Sequence, residues 1–120
     1  MTYRVERLNS LLRQEISDLV QRFVKDPRLG SFVSITAVEI SKDMRYAKVF
    51  VSRYGTDTEK KETIQALESA SGFIRHELGE RLKTRRIPEL SFRLDNTMEK
   101  ADKVMRLINE IKSEESSKPE

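Results

Sequence analysis

Apolar residues recur every three or four positions near the start of the chain, which is the spacing of an amphipathic helix. The stripe comprises Val5, Leu8, Leu12, Ile16, Leu19 and Phe23. Pro27 then disfavours helical geometry at Asp26, and Gly30 supplies a flexible turn. The pattern therefore predicts a helix over residues 3–25 that ends near Lys25 and is followed by a corner.

From Phe32 onward the apolar residues alternate, which is the two-residue period of a β-strand. Two alternating sets follow each other one residue out of phase: Val33, Ile35 and Ala37, then Val38 and Ile40. Such a slip indicates a β-bulge near Ala37 and Val38. A second strand is predicted over residues 46–54, and the short polar link before it predicts an antiparallel hairpin.

The second strand has one aliphatic face, whereas its other face mixes aromatic residues with a lysine. The mixed face comprises Tyr46, Lys48, Phe50, Ser52 and Tyr54. Exposed aromatic side chains can stack on nucleic-acid bases, but we expect these to be buried under another helix or strand.

A long helical pattern follows this hairpin. Thr56 and Glu59 have the spacing of a capping box, and apolar residues then recur at helical spacing, which predicts a helix over about residues 58–82. Gly72 lies inside it, where glycine costs about 1 kcal/mol relative to alanine. A kink or break is one explanation. Close packing of another element against the glycine is the other, and the local pattern alone favours packing.

The rest of the chain predicts one strand, one helix and a tail. Pro88 excludes further helix, after which Leu90, Phe92 and Leu94 alternate as a third strand. The apolar stripe of a last helix comprises Ala101, Val104, Ile108 and Ile111. Residues 113–120 contain no apolar side chain, so we expect a single α+β domain over residues 1–112 and a disordered polar tail over 113–120.

Positive charge is concentrated after the long helix. Residues 81–93 have a net charge of +4, which exceeds the +3 of the whole chain. The basic side chains are Arg81, Lys83, Arg85, Arg86 and Arg93. Cations that converge on a rigid helix end are suited to binding phosphates, although a solvated charged face is the alternative.

Most residue types needed for catalysis or metal binding are missing or scattered. The chain has no cysteine and a single histidine, His76, on a predicted helix, and it has no glycine-rich phosphate loop. We therefore expect no enzyme activity, no metal and no cofactor. The lack of cysteine, of a membrane-length apolar run and of a signal sequence indicates a soluble cytoplasmic protein.

Three segments together resemble the ribosome-binding factor A family of bacteria. They are DPRLG at 26–30, VSITAVEISKDMRYAKVFVS at 33–52 and ASGFIRHELGERLKTRRIPELSFRLD at 70–95. The resemblance implies a KH-like domain of type II topology, helix-strand-strand-kinked helix-strand plus a C-terminal helix, with helices packed on one face of a three-stranded sheet. In this family an Ala-x-Gly kink replaces the GxxG loop of ordinary KH domains. Ala70, Ser71 and Gly72 match that kink, so the resemblance favours a kink over simple packing.

The resemblance further implies a monomeric, non-enzymatic assembly factor. Such a factor binds the free or immature 30S subunit rather than the mature 70S ribosome. It assists 16S ribosomal RNA processing and late small-subunit maturation, with a role in cold adaptation, by favouring particular RNA conformations. The implied RNA contacts are Arg75, Arg81, Lys83, Arg85, Arg86, Ser71, Gly72, Lys42 and Arg28. For Lys42 and Arg28, a purely local role of their turns is the alternative.

Two other functions remain open at this stage: a small protein-binding adaptor and a general single-stranded nucleic-acid binder. The chain also departs from the family pattern after Asp95, where Asn96-Thr97-Met98 stands and a glycine often present just beyond is missing. This departure leaves the start of the last helix undetermined.

Overall fold

The computed structural model describes residues 3–30, 32–97 and 104–112. Its elements are helix α1 (Tyr3–Phe23), a 3-10 helix (Pro27–Leu29), strands β1 (Val33–Ile40) and β2 (Tyr46–Arg53), helices α2 (Asp57–Ser69) and α3 (Ser71–Leu82), and strand β3 (Glu89–Leu94). Residues 104–112 are also helical, and we call them the C-terminal helix. This order confirms the predicted sequence of elements. Ala101 and the predicted tail lie outside the described residues.

The three strands form one sheet in the order β1-β2-β3. Strands β1 and β2 pair antiparallel, as the short polar link predicts, whereas β2 and β3 pair parallel. A parallel pair requires a crossover connection, and α2 and α3 supply it. The register places Ala47 beside Leu90 and Val49 beside Phe92, so apolar residues of neighbouring strands share one face.

The predicted β-bulge is present in β1, one residue earlier than expected. The pairing passes from Ile35 opposite Val51 to Ala37 opposite Phe50, which leaves Thr36 as the extra residue. The bulge turns both Ile35 and Val38 into the core, where each is 5% exposed. Strict alternation would have placed one of them on the opposite face.

The core lies between one face of the sheet and the helices. α1 contributes Leu12, Ile16, Leu19 and Val20, α2 contributes Ala66 and Leu67, and α3 contributes Ile74 and Leu78. Phe23, the last member of the predicted α1 stripe, is instead 53% exposed. It lies in the last turn of the helix, beside the guanidinium of Arg81 at 5.9 Å from the ring centre.

The other face of the sheet is uncovered by the described residues. Along β2 the outward residues are exposed or half-buried while Ala47, Val49 and Val51 are buried. Tyr46 is 56% exposed and Tyr54 is 71% exposed, so the expectation that these aromatics are buried was wrong. The reason is that α1, α2 and α3 all pack on the opposite face.

The predicted long helix is divided, as the kink interpretation requires. α2 ends at Ser69, Ala70 has φ −88° and ψ −2°, and α3 begins at Ser71. The Ala70 N–H donates to the Ala66 and Leu67 carbonyls, and the Ala70 carbonyl accepts from the Ile74 N–H at 2.9 Å. Hydrogen bonding therefore continues through the bend, which makes the two helices one kinked unit. The break lies at Ala70, two residues before Gly72.

The N-terminus of α2 is held by the predicted capping box. The Thr56 hydroxyl accepts from the Glu59 N–H, and the Glu59 carboxylate accepts from the Thr56 N–H. Within residues 3–30, 32–97 and 104–112, no helix has both the length and the apolar character needed to cross a membrane.

Candidate nucleic-acid interface

The C-terminus of α3 turns sharply and presents the basic cluster at the surface. Lys83 adopts the left-handed conformation with φ 53°, and its N–H donates to the Gly79 carbonyl. The Thr84 N–H donates to the same carbonyl at 3.2 Å. This arrangement caps the helix, because a left-handed residue lets the following N–H groups satisfy the last carbonyls. Lys83, Thr84, Arg85 and Arg86 are all exposed as a result.

Three of the predicted RNA contacts surround one shallow depression of about 540 Å³, which we call the basic depression. Its lining comprises Arg75, His76, Gly79, Glu80, Lys83, Thr84, Arg85 and Ile87. Arg75 also donates to the Ile87 carbonyl at 3.1 Å, which ties α3 to the chain that leads into β3. The lining therefore contains three permanent cations and a single acid, Glu80. This is an arrangement suited to anionic groups.

Arg86 does not line the basic depression. It lines a neighbouring apolar groove of about 690 Å³ with Arg45, and this groove lies between α1, the β1–β2 turn and the chain before β3. The apolar lining comprises Leu8, Leu12, Ile40, Met44, Leu82, Ile87 and Pro88. Thr84 and Ile87 line both surfaces. The basic depression and the apolar groove are therefore adjacent but separate.

Arg81 has a structural role that the sequence pattern did not indicate. One of its guanidinium nitrogens donates to Glu15 at 2.9 Å and to Asp18 at 2.7 Å, both on α1. The hydrogen bond that Arg81 donates to the Glu15 carboxylate, followed by the one that it donates to Asp18, raises the pKa of Arg81. Its side chain is 27% exposed and its charge is balanced within the protein. An RNA contact by Arg81 stays a prediction. In the structure, its two ion pairs join α3 to α1.

Ser71 and Gly72 lie in the first turn of α3, one turn before Arg75. Gly72 is exposed, and a Cβ placed on it would meet no atom within 4 Å. No described element therefore packs against Gly72, so the packing explanation is wrong as far as the described residues show. Residues three or four apart share a helix face, so Gly72, Arg75 and His76 form a continuous surface that leads to the basic depression.

Lys42 and Arg28 lie in turns that are held by their own side chains. The Ser41 hydroxyl donates to Asp43 at 2.6 Å, and Asp43 accepts from the Arg45 N–H at 3.1 Å, which leaves Lys42 exposed at the tip. In the other turn Asp26 accepts from the N–H and guanidinium of Arg28, the shortest contact being 2.7 Å. That side-chain hydrogen bond is the main reason that the pKa of Asp26 is lowered. This geometry agrees with the alternative that Lys42 and Arg28 have only local roles in their turns.

Two residues outside the predicted RNA contacts line these surfaces in the tertiary structure. His76 lines the basic depression and Arg45 lines the apolar groove. His76 has a weak sequence signal, since it falls on the same helix face as Gly72 and Lys83. Arg45 has none, because its position depends on how the β1–β2 turn meets the α3–β3 connection. In the described residues, no group of three or more histidine and carboxylate side chains is placed to hold a metal ion.

Comparison with known proteins gives one consistent family. Residues 4–108 match the sequence profile of the family described as ribosome-binding factor A. The chain is 51% identical to ribosome-binding factor A of Dictyoglomus thermophilum over 120 residues, covering 100% of both chains.

Solved structures agree with this match. The solution structure of a putative ribosome binding factor A from Thermotoga maritima is 40% identical with a TM-score of 0.70, covering 76% of this chain and 86% of that one. A homology model of the Thermus thermophilus ribosome binding factor A, as fitted into the cryo-EM map of a 30S–RbfA complex, is 27% identical with a TM-score of 0.62, covering 74% of this chain and 92% of that one. These likenesses confirm the predicted α+β, KH-like architecture.

Proposed function

Because this chain belongs to the ribosome-binding factor A family, we propose that it binds the small (30S) ribosomal subunit through RNA contacts centred on the basic depression. The observation that carries this proposal is the convergence of Arg75, Lys83 and Arg85 beside the open helix face at Gly72. Ser71 and Gly72 would let the RNA backbone approach α3 closely, since no atom of the described residues lies within 4 Å of a Cβ placed on Gly72. Arg86 would extend the contact toward the β1–β2 turn and Lys42.

The proposed binding free energy comes mainly from electrostatic contacts with phosphates. Each phosphate that a lysine or arginine neutralises releases counterions, so affinity falls steeply as salt rises. For about three to four such contacts, raising salt from about 50 to about 200 mM lowers affinity by roughly 20- to 50-fold with the slope of single strands and by roughly 40- to 150-fold with the slope of a duplex. Arg81 and Arg28 contribute less to this term, because carboxylates already pair with their guanidinium groups.

Such a protein acts by binding alone. An RNA segment that exchanges between conformations shifts toward the one that the protein binds more tightly, and the shift is limited by the difference in affinity. We propose on this basis a monomeric, non-enzymatic factor of the cytoplasm that prefers free or precursor 30S particles to 70S ribosomes. It would assist 16S ribosomal RNA processing and late maturation, with greater importance in cold-grown cells.

The test is co-sedimentation with free 30S, precursor 30S and 70S particles in sucrose gradients at low and moderate salt. The variant Lys83→Glu with Arg85→Glu should lose 30S binding and stay folded, since both side chains are exposed. Arg13→Glu with Lys61→Glu is the matched control, because these exposed cations of α1 and α2 line neither the depression nor the groove. The control should bind normally.

Equal binding by both double variants would refute the assignment of the basic depression. Migration with 70S as well as 30S would refute the proposed preference for immature particles. If the folded protein bound no ribosomal particle but did bind free single-stranded RNA, or an acidic protein, the general-binder or adaptor alternative would replace the proposal. Analytical ultracentrifugation of the same samples tests the monomeric state.

A further inference from the structure

One surface of the sheet, which the described residues leave uncovered, has exposed aromatic side chains. We call it the open face, defined by Tyr46, Lys48 and Phe50 of β2 with Ser91 and Arg93 of β3, on the side opposite α1, α2 and α3. Tyr54 continues the same alternation at the end of β2 and is 71% exposed. Tyr46 is 56% exposed, whereas Phe50 is half-buried.

The C-terminal helix presents a second apolar surface without a partner among the described residues. Val104, Ile108 and Ile111 follow helical spacing and are 54%, 40% and 55% exposed. Leu107 adds to the same stripe and is 58% exposed. A helix whose apolar stripe lies in water gains free energy by covering an apolar surface elsewhere. The same chain thus contains a sheet face with exposed aromatic side chains and an apolar helix stripe, and neither is covered by the described residues.

The chain leaves β3 on the side of the open face. The Asp95 N–H donates to the Val51 carbonyl at 2.7 Å, which extends the pairing with β2. Its carboxylate accepts from the exposed hydroxyl of Thr36 at 2.7 Å, so the side chain crosses β2 to reach β1. The same carboxylate accepts from the Thr97 N–H at 2.9 Å, where the chain becomes helical again. The connection to the C-terminal helix therefore begins at the open face.

The lengths allow the helix to fold back onto that face. Nine residue steps separate Asp95 from residue 104, enough for a reach of up to about 30 Å. A nine-residue helix is about 13 Å long, and an eight-residue strand is about 26 Å long. The helix therefore fits within the length of β2 without any change in the sheet.

The charge on the open face favours an apolar occupant over a phosphate chain. Glu39 lies opposite Lys48 in the strand register, Glu89 lies at the start of β3 and Asp95 follows β3, so the face has three acids against the two bases Lys48 and Arg93. A face without an excess of cations lacks the counterion release that drives RNA binding. Aromatic side chains flanked by mixed charges instead suit a helix that contains Arg106, Glu110 and Lys112.

We propose that the C-terminal helix is a reversible cover for the open face, with Val104, Ile108 and Ile111 packing over Tyr46 and Phe50. The Asp95–Thr36 hydrogen bond directs the chain toward this arrangement. The proposal is independent of RNA binding, because the basic depression lies on α3 and the α3–β3 connection. It gives the open face an occupant from the same chain.

Paramagnetic relaxation enhancement in the full chain tests this proposal. The sequence has no cysteine, so Lys112→Cys gives a single attachment point for a nitroxide label. We expect strong broadening of the amide signals of Lys48, Phe50 and Ser91, and little broadening at Ile16 of α1. Adding Ile108→Asp should abolish the broadening without unfolding the domain, because Ile108 is exposed in the undocked helix.

Three outcomes would overturn the proposal. One is equal broadening at the open face and at α1, and another is broadening that persists with Ile108→Asp. The third comes from a mixture of isotope-labelled protein without nitroxide and unlabelled protein with nitroxide. Broadening at the open face in that mixture, at the level seen in the single species, would mean that a second copy covers the face.

Discussion

Replacing Gly72 by alanine should stabilise the protein. The added Cβ meets no atom within 4 Å, and Gly72 does not have the positive φ that favours glycine. Alanine is better than glycine by about 0.5–1 kcal/mol inside a helix. Because Gly72 lies in the first turn of α3, we expect the lower end, about 0.5 kcal/mol. For a domain of this size that corresponds to a rise in Tm of about 2 °C.

Gly79→Ala is the matched control in the same helix. A Cβ there would lie 3.3 Å from the Thr84 carbonyl oxygen, a backbone atom that the helix cap holds in place. We therefore expect Gly79→Ala to lack the gain seen for Gly72→Ala. Urea unfolding followed by circular dichroism measures both changes. A loss of stability for Gly72→Ala would refute our conclusion that the position is open and would restore the packing explanation.

The same position separates stability from binding. Gly72→Leu should keep the free energy of unfolding within about 0.5 kcal/mol of the parent, as surface substitutions usually do. It should weaken 30S binding by about tenfold or more, equivalent to about 1.4 kcal/mol, if RNA approaches the kink closely. Co-sedimentation with 30S particles measures this. Unchanged binding by the stable Gly72→Leu variant would remove the kink from the proposed interface.

Two further predictions concern stability. Arg81→Gln removes both ion pairs to α1, so Tm should fall at low salt, and this loss should be smaller at high salt. The folded variant should bind 30S particles almost normally. Strongly reduced binding would instead support Arg81 as an RNA contact. Hydrogen bonds from Thr97 and then Thr36 lower the pKa of Asp95. Its stabilisation is therefore complete above the ordinary aspartate value and is lost as pH falls through the lowered one. Thermal melts from about pH 6 to about pH 2 should show Asp95→Asn less stable than the parent at the upper end and equal to it at the lower end. A difference that persists at low pH would contradict this assignment.

Most of the local structure follows from the order of the amino acids. Helix α1, the hairpin, the capping box at Thr56 and the third strand after Pro88 all follow from spacing and from residues with strong local preferences. The β-bulge was also readable within two residues, because a phase slip is a local signal. The local pattern at Gly72 favoured packing instead, and only the resemblance of Ala70, Ser71 and Gly72 to the family's Ala-x-Gly segment indicated the kink. Local periodicity reports which side of an element is apolar, and that is enough to place each helix and strand.

Which basic residues share a surface depends on contacts between distant parts of the chain. Periodicity cannot show that Arg81 meets Glu15, 66 residues earlier in the chain, or that Arg86 lines a different surface from Lys83 and Arg85. It also could not show that Tyr46 stays exposed, since alternation marks two faces of a strand without saying how many are covered. Contacts between distant segments depend on how the helices pack on the sheet. The basic residues that are clustered in the sequence are therefore divided in the structure among the basic depression, the apolar groove and the ion pairs of Arg81.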